Sequence, residues 1–169
     1  MPRVLVPVDD FRNARHALRH VVREFTMNAA TEIHVLHVEP RLRRHVAQFI
    51  GRRDREAFHR DRTAEALRPV RQMLDGAGAP YHVHAEVGPK GVLIAATAAR
   101  LACDCIVIGV ARRSALLRLL EDAVVDQVLA RTSVPVVVIA GEPVSMAERY
   151  GLPAGIGAVL ALLLAAAAD

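Results

Sequence analysis

Eight histidines, two cysteines two residues apart, and acids placed just after apolar runs are the groups in this chain with chemistry to offer. His82 and His84 stand two apart, so on an extended strand both side chains share a face. His34 and His37 stand three apart and face opposite ways. A zinc site takes three or four donors; two imidazoles on one face fall short, and no metal is expected. Cys103-Asp104-Cys105 places two thiols at the entrance of an apolar run, where they would share a face. The expected role of each is that of a small buried hydrophobe. No Ser-His-Asp order, paired-carboxylate motif or Walker loop occurs, so hydrolysis has no constellation behind it and no enzymatic turnover is expected. What remains is Asp9 after Val4–Val8, and the arginines Arg112 and Arg113 after Gly109.

These groups need elements to hold them, and the chain reads as alternating strands and helices. It has 169 residues, 53% of them hydrophobic and 24% charged, which suits one globular domain with a sizeable core. Aromatics are 4% and Trp is absent, so that core is aliphatic. Val4–Val8 is a short β-branched run of the buried-strand kind. Ala14, Ala17, Leu18, Val21, Val22 and Phe25 recur at helical spacing within Asn13–Met27. Strands are predicted at Glu32–Val38, Tyr81–Val87, Cys105–Gly109 and Val134–Ala140. Helical composition fills Leu42–Leu74 (loosened near Gly51), Val92–Leu101 and Ser114–Ala130. Asp75 to Pro80 carries turn chemistry.

Strands alternating with helices of this length predict right-handed crossovers and a mostly parallel five-stranded sheet covered on both faces. In such α/β sheets ligands sit beyond the carboxyl ends of the strands. The segments that matter are then Pro7–Asp10, Val38–Pro40, Val87–Gly91 and Gly109–Arg113. The last strand, Val134–Ala140, is apolar and lies at a sheet edge in this topology, which invites pairing with a second copy.

With these pieces in order, the chain resembles the universal stress protein family from Arg3 to about Ala140. Val4-Leu5-Val6-Pro7-Val8-Asp9 looks like the family's opening strand and acid. Glu32–Val38 looks like its second strand, Gly88-Pro89 like the turn before its third helix, Ala102–Gly109 like its fourth strand with terminal glycine, and Val134–Ile139 like its closing strand. The resemblance implies a flavodoxin-like (Rossmann-like) three-layer sandwich, homodimerisation, a role in stress response and, in some members, a bound adenine nucleotide. Nucleotide-binding members carry Gly, two residues, Gly, nine residues, then Gly and Ser or Thr. The glycines let backbone N–H groups approach phosphate oxygens. Here the first glycine is Gly109, Arg112 stands at the second, and Asp122-Ala123 stand where Gly-Ser would. A carboxylate about 4 Å from a phosphate charge costs roughly 4 kcal/mol at an effective dielectric near 20, and the lost hydroxyl bond about 1 kcal/mol more. Arg112 or Arg113 is expected to pair with Asp122 and fill the phosphate site, so ATP is not an expected cofactor. Pro7, Val8, Asp9 and Val38 leave the adenosine end intact. A nucleoside, or a monophosphate gripped by Arg112, is the alternative, with weak AMP or ATP binding and a nucleotide switch as its function.

Charge and the last segment complete the expectations. The net charge of +4 is local: between Arg41 and Arg62 eight Arg face three acids, +5, which leaves the rest at −1. The reading is a solvated helix face; nucleic acid is not expected, since only Phe49 and Phe58 could stack on bases. No secretory leader precedes Val4 and two Cys cannot staple a fold, which points to a reducing cytoplasm. Residues 1–141 form the expected domain, 142–150 a linker and 151–169 an apolar C-terminal segment. The uncharged run Tyr150–Ala168 has 19 residues, the lower limit for crossing a bilayer. A helix packed on the domain or across a dimer is expected; the alternative is an inner-membrane-associated tail that makes the protein a tethered adaptor. The protein partner and the stress remain unspecified.

Overall fold

The computed structural model describes residues 1–9, 11–27, 31–40, 51–110 and 124–141. Five strands form one sheet: β1 (Arg3–Val8), β2 (Glu32–Glu39), β3 (Tyr81–Val87), β4 (Cys105–Val110) and β5 (Val136–Ala140). Their order is β3-β2-β1-β4-β5, and every neighbouring pair is parallel. The helices are α1 (Phe11–Met27), α2 (Arg52–Gly76) and α3 (Lys90–Arg100), with a further helical stretch, α4, at 124–129. This is the parallel sheet covered on both faces that the alternation predicts, in the flavodoxin-like arrangement that the family resemblance implies. β5 begins two residues later than expected because Val134 is turned toward the Thr132 hydroxyl and the first carbonyl to meet β4 is that of Pro135.

Alternation along the strands sorts two cores. Val6, Val8, Ile33, Val35 and Val107 meet Ala14, Ala17, Leu18 and Val21 of α1 and Leu67, Val70 and Leu74 of α2. On the other face Leu5, Leu36, Val38, Ile106 and Ile108 meet Ile94 and Ala98 of α3 and Val128 of α4. Only the second half of α2 is anchored; from Arg53 to Ala66 no described side chain is buried. Arg53 and Arg60 are exposed there, as the solvated-face reading expects, while Arg62 donates to Glu39 at 2.9 Å. The rest of the basic run (41–50), the proposed linker and the apolar tail lie outside the described residues. Among those described, no helix is long and apolar enough to cross a membrane.

Both α2 and α3 end in the same backbone motif, with one difference. After α2, Gly78 N–H bonds Asp75 O and Ala79 N–H bonds Leu74 O, with Gly78 at φ 63. After α3, Ala102 N–H bonds Ala99 O and Cys103 N–H bonds Ala98 O, but the left-handed position is held by Ala102, at φ 49. This Schellman turn corrects the cysteine reading. Cys103 belongs to the turn rather than to the strand, and it packs into the α3 core. Cys105, inside β4, packs against the α1 core. The thiols therefore lie on opposite sides of the sheet, and burial raises the pKa of both. The left-handed turn costs an alanine about 1 kcal/mol that glycine is spared. Ala102→Gly is expected to stabilise the fold by that amount, read as a higher urea midpoint with an unchanged slope.

Candidate functional site

The crevice sits where the strand order reverses, between β1 and β4, and its opening traces to Pro7. Arg3 O accepts from Asp104 N–H on the β4 side. The two-residue period of a strand puts the Pro7 nitrogen on that same side, where it has no hydrogen to give. The β1–β4 register accordingly runs through Val4↔Cys105 and Leu5↔Ile106, while β1–β2 continues to Val8↔His37. Beyond Leu5 the two strands part.

The gap is a cavity of about 200 Å³ lined by Pro7, Val8, Asp9, Asn13, Leu36, Val38, Lys90, Ile94, Ile108, Gly109, Val110, Val124 and Val125. Its walls are mostly aliphatic, and Asp9, Asn13 and Lys90 are its polar side chains. Lys90 Nζ donates to Asp9 Oδ2 at 2.9 Å, from the first turn of α3 to the loop after β1. Both side chains are partly exposed. Below the floor, His37 Nδ1 lies 2.8 Å from Val8 O; a carbonyl only accepts, so this nitrogen carries the proton. The bond ties the end of β2 to the end of β1 and commits the Val8 carbonyl away from any ligand. On the same side Glu39 Oε1 stands 3.6 Å from His37 Nε2 and 2.9 Å from Arg62 Nε.

Pro7, Val8, Asp9, Val38 and Gly109 thus line one cavity. Arg112, Arg113, Asp122 and Ala123, with the pairing expected among them, lie outside the described residues. Gly109 has a structural duty besides. A Cβ there would stand 2.1 Å from Asn13 O and 2.8 Å from Asn13 C, so the missing side chain lets the first turn of α1 lie on β4. Lys90 and Asn13 escaped the sequence selection. The signal for Lys90 was its place just beyond β3, within a segment already marked by the strand-end rule; nothing local set it apart from Lys90's neighbours.

Parallel order with its switch point between β1 and β4, and a crevice there with an acid after β1 at its mouth, define a flavodoxin-like α/β fold. The universal stress protein family model matches residues 1–140, and the chain belongs to that family. Solved structures agree on the fold. A universal stress protein from Archaeoglobus fulgidus is 20% identical with a TM-score of 0.60, covering 82% of this chain and 93% of its own. The Archaeoglobus fulgidus protein in complex with dAMP is also 20% identical, with a TM-score of 0.58 over 82% of this chain and 97% of its own. An Arabidopsis thaliana family protein with AMP bound is 16% identical, with a TM-score of 0.61 over 91% of this chain and 99% of its own. No curated protein matches the sequence significantly.

Gly109→Ala is expected to push α1 off β4. Overpacking costs about 1–3 kcal/mol, and a backbone neighbour that cannot rotate away puts this case at the upper end. A denaturant midpoint within error of the parent would show that the contact yields freely.

Proposed function

We propose that this chain is a non-catalytic binding and regulatory module of the stress response that does not take up ATP. The observation that carries the reading is the small size of the crevice, at whose mouth Asp9, the acid available to a ribose or base, pairs with Lys90 at 2.9 Å. The space behind it is about 200 Å³, below the roughly 300–1,000 Å³ of ordinary ligand pockets. The sequence adds Arg112 and Asp122-Ala123 in place of Gly and Gly-Ser, which removes backbone donors and brings a carboxylate toward a polyphosphate. The AMP and dAMP bound by the two relatives support the alternative of a nucleoside or monophosphate at the adenosine end. Lys90 would then have to leave Asp9.

Titration calorimetry of the full chain with Mg²⁺ and ATP, ADP or AMP tests this. The expected result is no ATP affinity tighter than about millimolar, a binding free energy near −4 kcal/mol, and a gain in the Asp122→Gly/Ala123→Ser variant. Micromolar ATP binding by the native chain overturns the reading and favours a nucleotide-dependent switch.

We further propose a cytoplasmic homodimer paired through the β5 edge. Val137 and Val138 on that edge are 37% and 45% exposed, and an apolar strand edge invites a partner strand. Two free thiols on opposite sides of the sheet suit a reducing compartment. Light scattering at micromolar concentration should give twice the 18.4 kDa chain mass, and Val138→Lys should return the mass to that of one chain. A monomer from the outset would dismiss the pairing.

A further inference from the structure

The end of the sheet opposite the crevice holds a second concentration of titratable groups. β2 contributes Glu32 and His34, and β3 contributes His82 and His84. The register sets His34 beside His82, and the His34 ring centroid lies 5.3 Å from those of both His82 and His84. His34 is buried. Its Nδ1 is 3.1 Å from His84 Nε2, and its Nε2 is 3.3 Å from Glu32 Oε1. That contact is off the hydrogen-bond axis, so the buried Nε2 has no aligned partner. His82 Nε2 approaches the same carboxylate oxygen at 3.6 Å.

The Nδ1···Nε2 contact needs one hydrogen and one lone pair. A hydrogen on His34 Nε2 faces the Glu32 carboxylate and leaves Nδ1 as acceptor, so His84 Nε2–H donates to it. A first proton at His34 Nδ1 can be met by the other tautomer of His84, whose Nε2 then accepts; once both rings are charged, two N–H groups stand against each other across the β2–β3 boundary. The surroundings offer little to offset that charge. From β1, Arg3 Nε already holds Glu32 at 3.0 Å, and its backbone N–H bonds Asp104 Oδ2 at 2.7 Å. From α3, Arg100 holds Glu86 of β3 at 3.0 Å and bears on His84 as a like charge. Arg3 and Arg100 are thus each taken up by a carboxylate, Glu32 and Glu86, and the one further anion beside them, Asp104, is bound by the Arg3 backbone N–H.

We infer that this imidazole cluster is a proton-operated clasp, which holds the edge strand β3 to β2 at neutral pH and lets it go when the cluster gains protons. Among the described residues β3 is an edge strand with β2 as its sole partner in the sheet, so a repulsion placed on that boundary loosens this strand before the rest. Burial lowers the pKa of His34 and of His84, with like charges from neighbouring rings and Arg100 adding to it and Glu32 opposing it at His34. The sign follows. A histidine that binds its proton less readily when folded contributes stability in full above its unfolded value, near 6.5. The contribution is lost as pH falls below that value, because the unfolded chain then binds more protons. The clasp is independent of the crevice between β1 and β4, which lies toward the carboxyl ends of the strands.

The test uses the full chain with EDTA present. Ring-proton NMR titration is expected to place His34 and His84 below the ordinary histidine midpoint. Hydrogen exchange, corrected for intrinsic rates, is expected to show Tyr81–Val87 losing protection between about pH 7.5 and 5, with Cys105–Val110 changing far less. His84→Gln keeps an N–H donor toward His34 but cannot charge, and should remove most of that loss. Ordinary or raised midpoints for His34 and His84, or equal loss across β3 and β4, overturn the clasp. So does an acid response that survives in His84→Gln. Should His84→Gln fail to fold, the titration and the β3-against-β4 comparison in the native chain decide alone.

Discussion

Strand β1 can bond to both neighbours only while every second residue offers an N–H toward β4, and Pro7 cannot. The consequence reaches through the molecule. β1 and β4 share two registered pairs and then separate, so the strand ends at the switch point diverge and leave a space. Gly109 acts on the other side of the same gap: lacking a side chain, it lets α1 lie directly on β4. One residue opens the crevice from the front and the other keeps it closed from behind. Gly91 repeats the second device on the opposite face, where a Cβ would stand 2.4 Å from Gln127 Cβ, so that α3 and α4 meet closely and wall the cavity.

What was legible in the sequence follows from how each element buries itself. Strands covered on both faces write themselves as unbroken aliphatic runs, so Leu5-Val6, Val35-Leu36 and Ile106-Val107 identify β1, β2 and β4 without help. The stripe Ala14-Ala17-Leu18-Val21 identifies α1 in the same way. The strand-end rule then located Pro7, Val8, Asp9, Val38 and Gly109 at one crevice. What escaped depends on register or turn geometry, which no local pattern carries. Cys103 and Cys105 have strand spacing, but the left-handed turn at Ala102 takes Cys103 out of the strand and sends it to the other face. His82 and His84 read as a pair because the partner across the sheet, His34, comes from a segment 50 residues away, aligned only by the β2–β3 ladder. The link from Lys90 to Asp9 spans 81 residues and has the same origin.

Charge is distributed in the fold by a consistent rule: guanidinium and ammonium groups close the sheet's ends. Arg3 and Arg100 neutralise Glu32 and Glu86, Arg62 reaches from α2 to the buried carboxylate of Glu39, and Lys90 reaches Asp9. The Glu39 pair matters most among these, because a carboxylate so withdrawn from water needs a partner. It also gives the polar first half of α2, where no described residue is fully buried, an attachment to the end of β2.

The Lys90–Asp9 pair shows where selectivity in the crevice must come from. A partly exposed ion pair is worth about 0–1 kcal/mol, so it is no barrier to a ligand that gives Asp9 a donor and Lys90 an acceptor. Such a ligand exchanges one contact for two and loses little. The pair therefore sets which groups can meet the mouth, not whether the mouth opens. The discrimination against a polyphosphate that we propose would then arise deeper, from cavity volume and from the supply of backbone donors. Glycine-rich loops provide those donors because nothing projects between the N–H groups and the phosphate oxygens. An arginine in such a loop offers one strong fork but occupies space with its own side chain. A single compact anion can use that exchange; a chain of three phosphates, which needs several donors along its length, cannot.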